Sequence, residues 1–145
     1  MSEAPTPRLA TSADANQIAS HRYPEAEDAA ERPVYAEWVA GAMQRGTYLG
    51  WLVTESSQVI AGAGLTLLEW GPTRGQPNPL RARLVNVYTA PEWRRKGLAR
   101  QLVETALREA AARNIGVVSL GTSPVARPLY LSLGFEESRT EMCLK

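Results

Sequence analysis

The residues with the clearest chemical potential form the run Arg94-Arg95-Lys96-Gly97. An apolar, strand-like segment from Leu84 to Thr89 precedes the run, and a helix-like segment from Leu98 to Arg113 follows it. The first N–H groups of a helix have no partner inside the helix and lie at the positive end of its dipole. A glycine there lacks the Cβ that would keep a phosphate away from the backbone. The run therefore predicts an anion-binding loop, and the diphosphate of a cofactor is the first ligand to consider.

The alternative for this run is a solvated basic surface, which is the more common role of basic clusters. Its position favours the binding loop, because the charges, the glycine and the helix start coincide directly after an apolar strand. The charges are also distributed unevenly along the chain. Residues 1–40 hold seven acidic side chains against three arginines, and residues 91–145 hold nine basic against six acidic ones.

The elements that must position this loop follow from periodicity and turn residues. Strands are expected at residues 8–10, 48–54, 59–69, 82–89 and 115–120, and final strands from Phe135 onward would hold Cys143 half-buried in the tail. Helices are expected after Thr11, from Pro33 to before Gly46 (with Val34, Trp38, Val39 and Ala42 on its apolar stripe), over 98–113 and over 124–133. The pair Gly62 and Gly64 indicates a strand that bends or passes close to another backbone. The order predicts an α/β fold around one sheet.

Composition narrows the classes of function. The 145 residues fit one domain, 1–145, and carry a net charge of +1, which argues against a nucleic-acid binder. The chain has one cysteine, so no disulfide or cysteine metal cluster is expected, and we expect no metal cofactor. No apolar run approaches a membrane span or a secretory signal, which favours a cytoplasmic protein that does not bind membranes.

Two motifs resemble those of the GNAT (Gcn5-related N-acetyltransferase) superfamily. The acetyl-CoA signature Arg/Gln-x-x-Gly-x-Gly/Ala is matched by Arg94-x-x-Gly97-x-Ala99. A second signature, Asn-x-x-Ala-x-x-x-Tyr-x-x-x-Gly-Phe, is matched from Ser123 through Tyr130 to Phe135, with Ser123 in place of the asparagine. The resemblance covers essentially the whole chain. It implies a mixed, mostly antiparallel sheet, splayed at the cofactor cleft, with helices on both faces.

The resemblance also implies acetyl-CoA as co-substrate. Pantetheine would bond to the strand edge at residues 87–89, and the diphosphate would bind the N–H groups of residues 95–100. The shorter hydroxyl of Ser123 weakens the expectation that this position bonds the cofactor. The residues expected at the cofactor are Val87, Tyr88, Thr89, Arg94, Arg95, Lys96, Gly97, Leu98, Ala99, Arg100, Ser123 and Arg127.

The implied reaction is the direct attack of a primary amine on the thioester in a ternary complex. The N–H of Val87 or Tyr88 would polarise the carbonyl, and Tyr130 would protonate the departing thiolate. Glu69 is the first candidate for the base, and His21, the only histidine, is expected at the surface in an acidic loop. The residues expected at the acceptor amine are Tyr23, Trp70 and Asn86.

Two other functions fit the same residues. A non-catalytic sensor or regulatory domain would bind acyl-CoA without transferring the acyl group. An anion- or nucleic-acid-binding domain could use the basic loop, although the near-zero net charge disfavours it. The sequence leaves open the acceptor (a small-molecule or peptide amine), the length of the acyl group and the oligomeric state, for which a homodimer is one possibility.

Overall fold

The computed structural model describes residues 5–138 and 140–145. The strands are β1 (Arg8–Leu9), β2 (Tyr48–Glu55), β3 (Gln58–Glu69), β4 (Leu80–Thr89) and β5 (Val118–Ser119). The helices are α1 (Ala15–Arg22), α2 (Glu31–Arg45), α3 (Leu98–Ala112) and α4 (Arg127–Ser132). Within the described ranges, no helix combines the length and the apolar composition that crossing a bilayer requires.

The five strands form one sheet in chain order, and β1 to β4 are antiparallel neighbours. β5 runs parallel to β4 and pairs with it only at Ala82 and Arg83. The remainder of β4, from Leu84 to Thr89, has no strand on that side among the described residues. The two strands therefore diverge into a V-shaped cleft. The expected mixed, mostly antiparallel and splayed sheet is confirmed.

The two faces of the sheet bury separate apolar clusters, because side chains alternate along each strand. Trp51 and Val53 of β2 pack with α3 on one face. Tyr48 and Leu52, offset by one residue, pack with α1 and α2 on the other face. This arrangement confirms the expectation of helices on both faces.

Helix α2 ends at Arg45 and is capped by Gly46, whose positive φ of 76° suits a glycine. Its buried positions are Ala36, Val39 and Ala42, so the predicted apolar stripe is wrong at two of its four positions. Val34 is 69% exposed and Trp38 is 42% exposed. Small alanines let α2 approach its neighbours closely, and Trp38 instead packs at the rim against Tyr35 and Tyr48.

The C-terminal strands predicted from Phe135 onward do not form within residues 135–138 and 140–145. Cys143 is exposed, so its expected half-buried position is also wrong. β5 pairs over only two residues and offers little backbone for another strand to extend. Helix α4 is shorter than predicted, because residues 124–126 form a turn before it begins.

Candidate active site

A bulge in β4 lies at the mouth of the cleft. The β3–β4 register shifts between Gly62 and Gly64, so that both Asn86 and Val87 stand opposite Ala63. Asn86 adopts the left-handed conformation with φ of 56°. Asparagine tolerates this conformation better than most side chains. The bend expected around the two glycines is therefore present, and the extra residue of the bulge belongs to β4.

The bulge decides which amide groups of β4 face the cleft. The N–H of Ala90 donates to the Ile60 carbonyl of β3 at 2.8 Å. Because N–H groups alternate in direction along a strand, the N–H of Tyr88 also points toward β3. The N–H groups of Val87 and Thr89 therefore point toward the open edge. Of the two candidates for polarising a carbonyl in the cleft, the geometry supports Val87.

Both polar atoms of the Asn86 side chain form hydrogen bonds. Its Nδ2 donates to the hydroxyls of Tyr35 and Tyr48, each at 2.9 Å, and its Oδ1 accepts from Arg22 Nη1 at 3.3 Å. Burial raises the pKa of Tyr48, which keeps its hydroxyl neutral. A Cβ on Gly64 would lie 2.2 Å from that hydroxyl oxygen. Gly64 thus leaves room for a tyrosine side chain, rather than for the neighbouring backbone that the sequence suggested.

A cavity of about 610 Å³ occupies the cleft. It runs from the end of α1, along the bulged part of β4, to the residues around the start of α4. Its lining consists of His21, Arg22, Tyr23, Leu84, Val85, Asn86, Val87, Gly121, Thr122, Ser123, Ala126 and Tyr130.

His21 lines this cavity, so the expected surface position is wrong. Its ring is buried and stacks face to face on Tyr88, with centroids 4.2 Å apart. Its Nε2 lies 3.0 Å from the Gln17 side-chain nitrogen. Burial lowers the pKa of His21 to about 4, so the imidazole is neutral near pH 7. The polar sequence around it concealed that α1 extends to Arg22 and turns this side chain inward.

Tyr130 is buried in α4 and reaches the cavity from the opposite side. Its ring packs edge-on against Phe135, with centroids 5.8 Å apart. Its hydroxyl has no hydrogen-bond partner among the described residues. Burial raises the pKa of Tyr130, which keeps the phenol protonated at neutral pH. The side chain can therefore donate a proton inside the cleft.

The loop before α3 presents a group of unused amides. Within residues 5–138 and 140–145, none of the N–H groups of residues 95–100 donates a hydrogen bond. Arg95 and Gly97 both have positive φ, 64° and 79°. Alternating left-handed residues curve the backbone so that successive N–H groups converge on an anion. A Cβ on Gly97 would meet no atom within 4 Å, so the space above the loop is open.

The cationic side chains of the loop are all exposed, and most make local contacts. Arg94 Nε donates to the Thr89 carbonyl at 3.4 Å, and Lys96 Nζ lies 5.4 Å from the centre of the Trp93 ring. Arg100 donates to the Ser132 hydroxyl. Arg95 makes no side-chain hydrogen bond or ion pair with any residue that the structure describes. It is the cation of the loop with the most freedom to meet a ligand.

Two expected cofactor residues have other partners. Ser123 Oγ accepts from the Ala126 N–H at 3.3 Å and so caps the turn that leads into α4, although Ser123 also lines the cavity. Arg127 forms an ion pair with Glu137 and is not part of the cavity lining.

The structure brings only part of the expected acceptor site together. Tyr23 lines the cavity beside Arg22. Glu69 and Trp70 do not line it, because they lie at the other end of β3, where Glu69 pairs with Leu80. Trp70 is 55% exposed and carries the guanidinium of Arg81 over its ring. The structure gives Glu69 no position from which it could act as the base in this cleft.

The comparisons with known proteins agree with this geometry. The family model of the GNAT acetyltransferases matches residues 13–135. The chain belongs to the GNAT acetyltransferase family. The resemblance seen in the two motifs is thereby confirmed, and the protein is an acyltransferase by family.

Relatives of this GNAT protein support the assignment. A mycothiol acetyltransferase of Thermobifida fusca is 34% identical over 100 residues, which is 68% of this chain but only 28% of that protein. The chain thus spans less than a third of that relative. A GCN5-related N-acetyltransferase from Ralstonia eutropha has 27% identity and a TM-score of 0.88, with 98% of each chain covered.

The fold is shared with a more distant structure as well. A predicted acetyltransferase from Clostridium acetobutylicum, solved with acetyl-CoA, has a TM-score of 0.89 at 23% identity. That match covers 98% of this chain and 96% of the other.

Proposed function

We propose that the protein transfers an acetyl group from acetyl-CoA to a primary amine in the cleft between β4 and α4. The observation that supports this most strongly is the set of unused N–H groups at residues 95–100, next to the open edge of β4. Such amides bind a diphosphate well, because their partial positive charges add to the helix dipole. Pantetheine extended along β4 from this loop would bring the thioester toward the bulge.

The residues around the bulge would act on the thioester carbonyl. As the amine nitrogen attacks the carbonyl carbon, negative charge develops on the carbonyl oxygen. The N–H of Val87, directed into the cleft by the bulge, would stabilise that charge. The C–N bond forms while the C–S bond breaks, and Tyr130 would give its proton to the departing thiolate. The nitrogen, which becomes positively charged as it attacks, then loses a proton to solvent to give the neutral amide, and the phenolate regains a proton from solvent.

No carboxylate lines the cavity among the described residues, and His21 is a weak base because burial lowers its pKa to about 4. We therefore propose that the amine loses its proton to solvent before it attacks. The value of kcat/KM should then rise with pH in parallel with the neutral fraction of the amine. A break near pH 6.5 that disappears in His21→Phe would show instead that the histidine accepts the proton.

Titration calorimetry with acetyl-CoA tests the cofactor site. The wild type should bind, and Arg95→Glu should weaken binding by about tenfold or more, because it replaces a charge-assisted contact with repulsion. Arg74→Glu is the matched control, since Arg74 is an exposed arginine in the distant loop between β3 and β4. The absence of binding at millimolar acetyl-CoA would refute the proposal. Binding without thiol release for any amine would favour the acyl-CoA sensor.

A further inference from the structure

Among the residues that the structure describes, Arg22 is the one lining residue of the cavity that carries a full charge near pH 7. The other lining residues are neutral. Burial keeps His21 uncharged, and the remaining side chains are apolar or uncharged polar groups. No acidic side chain in the described ranges lies within ion-pair distance of Arg22. The cavity therefore holds a net positive charge at the end of α1, away from the unused amides of the cofactor loop.

The guanidinium of Arg22 is held in place by aromatic and amide groups. Its central carbon lies 4.8 Å from the Tyr35 ring centre and 5.7 Å from that of Tyr23. Its Nη1 donates to Asn86 at 3.3 Å, and its Nε donates to the Tyr23 hydroxyl at 3.4 Å. A guanidinium has five N–H donors, so several remain free. Fixing the cation before a ligand arrives lowers the entropy that binding costs.

The position of this charge relates it to the reaction. Arg22 bonds to Asn86, and Asn86 immediately precedes Val87, whose N–H faces the cleft. An anionic group bound at Arg22 would therefore lie close to the point where the amine attacks. A polycationic amine, by contrast, would bring further positive charge into a cavity whose described lining residues include no acidic side chain.

We propose that Arg22 binds an anionic group of the acceptor, so that the substrate is an amine that also carries a carboxylate or a phosphate. This inference rests on the proposed acetyl transfer and names the class of acceptor for it. Both anions present oxygen atoms that match the planar fork of a guanidinium.

Matched pairs of amines test this inference and distinguish the two anions. Glycine against glycinamide isolates the carboxylate, and phosphoethanolamine against ethanolamine isolates the phosphate. For each pair, the ratio of kcat/KM values, corrected to the neutral amine, is measured by thiol release from acetyl-CoA. In the wild type the ratio should favour the anionic amine of at least one pair. Arg22→Gln should reduce that ratio roughly 10- to 100-fold, the usual effect of losing a hydrogen bond to a charged group.

The ratio also separates recognition of the anion from a structural role. If Arg22 only supported Asn86 and the bulge, Arg22→Gln would slow both members of a pair equally, and that result would overturn the inference. Arg81→Gln is the matched control, because Arg81 stacks on Trp70 at 4.3 Å outside the cavity and should leave both ratios unchanged.

A binding measurement keeps this test separate from turnover. In the presence of CoA, the anionic product of at least one pair should bind the wild type more tightly than its neutral counterpart, with N-acetylglycine compared with N-acetylglycinamide and N-acetylphosphoethanolamine with N-acetylethanolamine. Arg22→Gln should abolish the difference. If no amine is acetylated but this difference is found, the proposed transfer fails and the anion site stands. The anion site would be overturned if N-acetylglycine and N-acetylglycinamide bind equally and N-acetylphosphoethanolamine and N-acetylethanolamine also bind equally.

Discussion

Protonation of His21 should destabilise the folded protein. The ring stacks on Tyr88, its Nε2 faces Gln17, and a Cβ on Gly62 would lie 3.1 Å from its Nδ1. This buried environment lowers the pKa from 6.5 to about 4. As the pH falls, His21 takes up a proton in the unfolded chain before it does so in the folded protein. The stability that depends on a neutral His21 is therefore fully present above pH 6.5 and is lost as the pH falls toward 4. Linkage gives a loss of about 2 kcal/mol between pH 7 and pH 5.

The assay is urea unfolding followed by tryptophan fluorescence at pH 7, 6 and 5. His21→Phe is the comparison, because it keeps an aromatic ring against Tyr88 and cannot gain a proton. Asp14, whose pKa is lowered by Arg8, loses its contribution only at more acidic pH and does so equally in both proteins. The difference in unfolding free energy between wild type and variant should therefore shift by about 2 kcal/mol from pH 7 to pH 5. A constant difference would refute the account of a neutral, buried His21.

Two other substitutions test the catalytic and structural parts of the site. Tyr130→Phe should lower kcat by about 100-fold or more and leave the Kd for acetyl-CoA nearly unchanged, because it removes only the proton donor. An unchanged kcat would exclude Tyr130 from the mechanism. Gly64→Ala should destabilise the fold by about 2 kcal/mol or more, because the new methyl group meets the Tyr48 hydroxyl that holds Asn86. Thermal unfolding measures this, with Gly41→Ala in α2 as the control because a Cβ there would meet only the flexible end of the Arg45 side chain, and equal losses in the two variants would contradict the packing argument.

Local sequence signals predicted most of the sheet and the cofactor loop. Two strand-like runs joined by a polar connection of hairpin length located β2 and β3, and the glycine among cations located the start of α3. The mixed sheet that splays at the cofactor cleft was implied only by the family resemblance, because periodicity within a strand does not identify the neighbouring strands.

The acceptor side of the cleft could not be predicted in this way. His21 and Arg22 lie in a polar stretch, and only the packing of α1 beside β4 turns them toward the cavity. The three side chains that hydrogen-bond to Asn86 lie 38, 51 and 64 positions away from it in the sequence. Glu69 and Trp70 looked suitable for the site by residue type, but the length of β3 carries them away from it. The residues after Phe135 have strand-forming side chains, but β5 is too short to serve as their partner strand.

The function proposed for this cleft is the transfer of an acetyl group from acetyl-CoA to an amine. The most direct measurement combines thiol release with mass spectrometry of the amine, using purified protein, acetyl-CoA and an amine panel that includes glycine and phosphoethanolamine. One free CoA thiol should appear for each amine that gains an acetyl group, and Tyr130→Phe should slow both signals together. Tight binding of acetyl-CoA without thiol release or an acetylated product for any amine would contradict the proposed transfer.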